Sequence, residues 1–147
     1  PSGRTCTAAG VCSAVPSTGE DCLDATVIPA EGGSFTFDFA ERTADHTPFS
    51  CGSTTGQPDV AFVVTPVGRG TAIFETSGTA DVVMAVFSSF SCTNANELAC
   101  DDDGAGVGWN SRIELSVTEG RSYYVVIAPY GTSTPPDSVT LHVSLPI

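Results

Sequence analysis

The chain has 147 residues with 17 Asp and Glu against five Arg and no Lys, a formal net charge of -12. This is enough chain for one domain that buries roughly 68–70% of its unfolded surface, and its negative field repels phosphate backbones and anionic lipid, so neither nucleic acid nor a membrane surface is an expected partner. With 15% charged and 41% hydrophobic residues, no apolar run near the ~20 residues of a membrane helix and no basic-then-apolar leader at residues 1–4, the composition reads as globular and soluble with any export signal removed.

Residues 1–21, PSGRTCTAAGVCSAVPSTGED, mix Gly, Pro, Ser and Thr without periodicity and read as a cystine-tied segment or linker, which leaves residues 22–147 as the folded domain. A short strand is expected at 25–29. At 34–39, Phe35, Phe37 and Phe39 alternate with Thr36 and Asp38, the pattern of a strand with one buried face. Runs rich in Val, Ile, Phe, Tyr and Thr follow at 59–65, 71–76, 81–87, 112–117, 122–128 and 138–145. The intervening PVGRG, TSGTA, TEG and PYGTSTPPD carry turn residues and are read as hairpin connections. No helical stripe of ten residues occurs, so about eight strands should form an all-β antiparallel sandwich. Within it Ile113, Leu115, Val117, Val139, Leu141, Val143 and Leu145 should face the core, with Thr140, His142 and Ser144 outward. Adjacent Tyr123 and Tyr124 must point to opposite faces.

Six cysteines, Cys6, Cys12, Cys22, Cys51, Cys92 and Cys100, are an even set suited to a disulfide framework and an oxidising, secreted or cell-surface location. Cys6 and Cys12 enclose five residues and Cys92 and Cys100 seven, so both pairs are expected as local loops, which leaves Cys22 with Cys51. A zinc site is disfavoured, because no Cys pair has knuckle spacing and the histidines are isolated.

The densest charge is Asp101, Asp102 and Asp103, ahead of Gly104, Gly106 and Gly108. Extended backbone sends Asp101 and Asp103 to one side. Two carboxylates about 4 Å apart repel by up to roughly 4 kcal/mol at an effective dielectric near 20, a cost that a divalent cation reverses, and oxygen donors favour calcium over zinc or copper. The loop is not an EF-hand, since Ala105 and Arg112 fall at ligand positions. A solvated acidic loop is the competing reading. Catalytic machinery is missing from the pattern. There is no G-x-S-x-G elbow, His46 lies in a loop before Pro48, and His142 sits on the outer face of a strand. Trp109, the single tryptophan, lies in GAGVGWN, where its ring either contacts a sugar or protein partner or folds back as a lid on the core. Tyr130, between Pro129 and Gly131, reads as a turn-packing residue.

The run DVVMAVFSSFSCTNANELACDDDGAGVGWNSRIELSVTEGRSYYVVIAPYG, with DCLDATVIPAEGGSFTFDF, Cys51-Gly52 and PDVAFVVTP upstream, resembles the pre-peptidase C-terminal domain of secreted bacterial proteins over most of residues 20–145. That resemblance implies a jelly-roll-like β-sandwich serving as a non-catalytic appendage, in some cases with calcium. It adds Asp81, the strand-opening acid, to Asp101, Asp102 and Asp103 as a calcium ligand. Departures are the Cys-Asp-Asp-Asp turn in place of Cys-Asn-Asp-Asp and the N-terminal cystine loop. The expected function is a secreted module for binding or adhesion to an extracellular polymer or protein through its loop end. The alternative is a self-assembling structural subunit of a filament or surface layer that uses its N-terminal segment for contacts.

Overall fold

The computed structural model describes residues 19–40, 42–104, 110–131 and 134–146, and the backbone of residues 4–6 and 12–14. Strands β1 (Arg4–Cys6) and β2 (Cys12–Ala14) pair as a hairpin that forms a sheet of its own. Its register sets Cys6 opposite Cys12, while the expected bond between their side chains lies outside the described residues. The sandwich comprises β3 (Thr26–Val27), β4 (Gly33–Phe37), β5 (Val60–Val64), β6 (Gly70–Ser77), β7 (Val82–Phe87), β8 (Glu97–Asp102), β9 (Arg112–Val117), β10 (Tyr123–Pro129) and β11 (Val139–Ser144). One sheet has the order β3-β5-β10-β7-β8 and the other β4-β11-β6-β9. Every pairing is antiparallel except β3 with β5.

The expected β-sandwich is therefore present, with two corrections to its wiring. The turn-rich connections after β5, β6, β9 and β10 are arches from one sheet to the other, not hairpins, and β7–β8 is the one sequential hairpin of the two sheets. Turn residues set where a chain reverses but not which strand it then pairs with. The second correction is β8, a six-residue strand in a segment read as a cystine loop and acidic turn.

Burial explains why the two sheets differ. The four-stranded sheet buries one face: Ala72, Phe74, Ile113, Val117, Val139, Leu141 and Val143 point into the inter-sheet core as alternation requires, and Leu115 and Leu145 pack against it. Phe35 and Phe37 reach across to Phe62, with ring centroids 6.2 Å and 5.4 Å away. The central strands β5, β7 and β10 are instead apolar on both faces. Val82, Met84 and Val86 join the inter-sheet core together with Tyr123, Val125 and Ile127. Val83, Ala85, Phe87, Val126 and Ala128 belong to a second cluster on the outer face, against which Tyr124 packs. A sheet buried on both faces reads as an unbroken apolar run, as VVMAVF does.

The cover on that outer face is coil rather than a third sheet. Cys22, Ala25 and Phe49 lie on it with Cys51 packed alongside, and the small residues Ala61, Ala85 and Ala128 let irregular backbone approach the strands. Two cystines fasten it: Cys22–Cys92, with Cα atoms 6.4 Å apart, and Cys51–Cys100, 5.9 Å apart. The expected pairs Cys22–Cys51 and Cys92–Cys100 are thus corrected. Cys22 and Cys51 both sit in the cover, whereas Cys92 and Cys100 both sit on the β7–β8 hairpin, so each bond joins cover to hairpin instead of closing a loop within either. Gly19 belongs to the cover, its carbonyl accepting from the Ala61 N–H at 2.7 Å.

Candidate functional site

At the end of the β7–β8 hairpin the structure brings Asp81, Asp102 and Asp103 together, with carboxylate oxygens within 4.8 Å of one another. Asp81 precedes β7, and Asp102 ends β8 opposite Val83 on the cover side. Asp103 turns back through a left-handed backbone conformation, φ 70°. That turn breaks the strand alternation, so Asp103 converges with Asp102 and not with Asp101 as extended backbone implied. Asp81 Oδ1 and Asp102 Oδ1 are buried with no hydrogen-bond partner among the described residues. Burial, followed by the charges of Asp103 and Asp81, pushes Asp102 up to about 6. Asp81 is raised by burial and then by Asp103.

Asp101 does different work. Its side chain leaves β8 on the opposite side, where Oδ2 accepts from the Gly104 N–H at 2.8 Å and from the Arg112 N–H at 2.7 Å. It thereby clasps the end of β8 to the start of β9. A side chain at Gly104 would put its Cβ 2.3 Å from that oxygen, so glycine is required for the clasp. Of the four expected ligands, three are assembled and Asp101 lies outside the trio. Trp109, the expected partner contact, lies outside the described residues.

Sequence reasoning missed a second polar centre, under the cover. Asp59 is 0% exposed, and its Oδ2 accepts from the backbone N–H groups of Asp45 at 3.1 Å and His46 at 2.7 Å. Its other oxygen is buried without a hydrogen-bond partner among the described residues. Burial is the main force raising the Asp59 carboxyl to about 7, helped by the charges of Asp45 and Glu20 and opposed by its two N–H donors. The available signal was an acid at the head of the apolar run VAFVV, a position that folds inward with the strand it opens. His46 is structural: Nε2 accepts from the Cys22 N–H at 3.0 Å. Burial holds its ring below the ordinary histidine range, against the raising effects of Asp21 and of a bond to the Cys92 backbone. The ring thus lies between the two cysteines of one cystine, which as a bonded pair offer no thiolates to a metal.

His142 sits on the solvent side of the four-stranded sheet as expected, with Nδ1 2.8 Å from Ser34 Oγ and Nε2 2.8 Å from Ser77 Oγ. Both ring nitrogens face hydroxyls, with no carboxylate in the orienting position that a triad needs. Tyr130 is exposed, its backbone N–H bonded to the Asp81 carbonyl.

No family model matches the chain, and no curated protein matches its sequence. Solved structures do share its fold. The pre-peptidase C-terminal domain of collagenase from Bacillus anthracis aligns over 83% of this chain and 94% of its own, at 9% identity and a TM-score of 0.51. A periplasmic inhibitor of g-type lysozyme from Aeromonas hydrophila aligns over 82% and 96%, at 15% identity and the same TM-score of 0.51. A surface-associated copper-binding protein of Methylomicrobium album BG8 aligns over 83% and 98%, at 14% identity and a TM-score of 0.51. The resemblance read from the sequence thus holds at the level of fold.

Proposed function

We propose that the chain is a non-catalytic extracellular or periplasmic binding module whose β7–β8 end is held by a calcium ion on Asp81, Asp102 and Asp103. The observation that carries this is the pair of buried oxygens, Asp81 Oδ1 and Asp102 Oδ1, with no hydrogen-bond partner among the described residues, within a group of three converging carboxylates. Left alone, each pair at that spacing repels by roughly 3 kcal/mol before solvent screening. The donors are all oxygen, which favours a hard cation. Calcium takes about six to eight oxygens, more than the three carboxylates alone supply in monodentate fashion, so water completes the shell and the affinity is modest.

The two cystines support an oxidising compartment, as does the occurrence of this fold in a periplasmic and a surface-associated protein. A role by contact is supported by what the two histidines do: His46 is spent on the cover and His142 on two serines. Adhesion to an extracellular polymer or protein is the form of contact proposed. The deciding experiment is a thermal melt in excess calcium against excess chelator. A hundredfold excess over Kd stabilises by about 2.7 kcal/mol, roughly a 5–10 °C rise for a chain of this size. Asp102→Asn and Asp103→Asn should lose the rise. An unchanged midpoint in the wild type overturns the calcium assignment, and saturable hydrolysis of a glycan or peptide, abolished by one substitution, overturns the contact role. Self-assembly is the second reading, favoured by the N-terminal hairpin being a sheet apart from the sandwich. Sedimentation of the chain lacking residues 1–18 tests it, since an assembly built through the hairpin falls to monomers.

A further inference from the structure

The outward face of β4-β11-β6-β9 carries mostly hydroxyl side chains, with Thr36 Oγ1 2.9 Å from Thr140 Oγ1 and the Ser34–His142–Ser77 chain beside them. Where β4 begins, Gly32 and Gly33 bring no side chain next to Val143 and Ser144. A Cβ at Gly32 would lie 2.4 Å from the Val143 carbonyl oxygen. Glycine at 32 thus lets the two backbones meet, and beside them lies a shallow cavity of about 260 Å³ lined by Gly33, Ser34, Ile73, Glu75, His142 and Ser144.

Register and bonding hold its groups in place. His142 lies directly across from Ser34 on one neighbour and Glu75 on the other, and Ser144 lies across from Ile73. The serines on both ring nitrogens fix the imidazole plane, and Glu75 lies 4.0 Å from Arg112 Nε. All of these side chains stand on strands rather than loops, which favours a preformed site.

We propose that this notch is a subsite for one ring of a neutral sugar, with the Ser and Thr face beside it continuing the contact along a polysaccharide. Ile73 supplies an aliphatic floor for the C–H face of a ring, Glu75 accepts from ring hydroxyls, and Ser34 and Ser144 both donate and accept. The volume is below the roughly 300–1,000 Å³ of sites that enclose a drug-sized ligand, so the notch holds about one ring, and its polar border is what selects a hydroxylated one. Glu75 and the net charge of -12 oppose uronates, sulfated glycans and phosphates. The inference rests on the contact-module reading and gives it a ligand class, but uses a different surface from the carboxylate trio.

The test is an amide NMR titration of the full chain with methyl glycosides of glucose, galactose, mannose and N-acetylglucosamine, and with D-glucuronate. At least one neutral glycoside should give saturable shifts at residues 33–34, 73–75 and 142–144 with a millimolar Kd, while glucuronate gives none. Glu75→Ala, which removes a charged acceptor, and Ser144→Leu, which fills the notch from an exposed position, should weaken binding about tenfold or more. Asp102→Asn should leave it unchanged. Unshifted spectra elsewhere report that the variants remain folded. The inference is overturned if no neutral glycoside saturates, if shifts map elsewhere, if glucuronate binds equally, or if Glu75→Ala binds as the wild type. A calcium response retained in any of those cases leaves the module reading standing without this site.

Discussion

Asp59 gives the sharpest quantitative expectation. Its carboxyl is raised from 3.8 to about 7, mainly by burial, so the folded state holds the proton more tightly than the unfolded chain does. Stability from this group is fully present below pH 3.8 and is lost as pH rises through about 7, above which the contribution is flat. The span corresponds to about 4 kcal/mol, or about 1.4 kcal/mol per pH unit. His46, lowered by burial, acts in the opposite sense. Its contribution is present above its ordinary value of 6.5 and is lost as pH falls, so the wild-type profile alone mixes the two. Asp59→Asn separates them, because an amide resembles the protonated acid, keeps an oxygen for the Asp45 and His46 N–H groups, and does not titrate. The assay is denaturant unfolding of wild type and variant with chelator present, at intervals from pH 4 to pH 8. The wild type should lose stability relative to the variant by about 3–4 kcal/mol between pH 4 and pH 7 and then run parallel to it. Curves that stay parallel across pH 4–7 would show that Asp59 is solvated or paired in the folded protein, and would refute the reasoning.

Non-reducing peptide mapping should recover Cys22 with Cys92 and Cys51 with Cys100, and a Cys22–Cys51 peptide would contradict the cover. Sequence separations of 70 and 49 imply that each bond stabilises by about 4 kcal/mol in the chain-entropy model, which unfolding of a Cys51→Ala, Cys100→Ala double variant measures. Asp101→Ala leaves two backbone N–H groups without their carboxylate and should cost about 1–3 kcal/mol while keeping the calcium-induced rise in midpoint, unlike Asp102→Asn. Gly52→Ala should destabilise by roughly 1–3 kcal/mol, read by the same unfolding assay. Its backbone is left-handed at φ 69° and its new Cβ would lie 2.6 Å from a Val83 methyl group.

The strands of the four-stranded sheet were legible because their residues alternate, and β5, β7 and β10 because each is an unbroken apolar run. Phe35 and Phe37 announce β4, and Val139, Leu141 and Val143 announce β11. β8 was not, because ELACDD is an edge strand of half-buried residues with acids at both ends, and its alternation is interrupted where Leu98 sits at the register shift between Val86 and Phe87. The cover was invisible for a related reason. Ala61, Ala85 and Ala128 carry little apolar signal in sequence, yet they are the residues that make room for coil against a sheet. Short spacing between cysteines reports only that a local bond is sterically possible, so with the cover unseen the long-range cystines were unseen too. The carboxylate trio was half legible: the acids were evident, but their grouping depends on the conformation of one residue, Asp103.

The devices at β8 also bear on how the chain can meet partners. β8 ends the five-stranded sheet, and an open edge invites another chain to add a strand. Here the edge is interrupted by the register shift at Leu98, tied at Cys100 to the cover through Cys51, clasped at Asp101 to β9, and loaded with charge at Asp102 and Asp103. A bulge, a covalent anchor and like charge each oppose strand addition, for the added backbone needs a regular ladder and a second copy of this chain would bring its own acids to the same place. Strand addition along β8 is therefore disfavoured, which leaves β3, β4 and β9 as the other sheet edges of the sandwich. The same features leave the hydroxyl face of the four-stranded sheet, where Arg112 offsets part of the charge of Glu75 and Glu114, as the surface proposed for a neutral ligand. A partner that bound at β8 in preference to that face would have to be cationic, and its affinity would fall steeply with added salt, whereas sugar binding in the notch beside Ser34, Ile73 and Glu75 should be nearly insensitive to it.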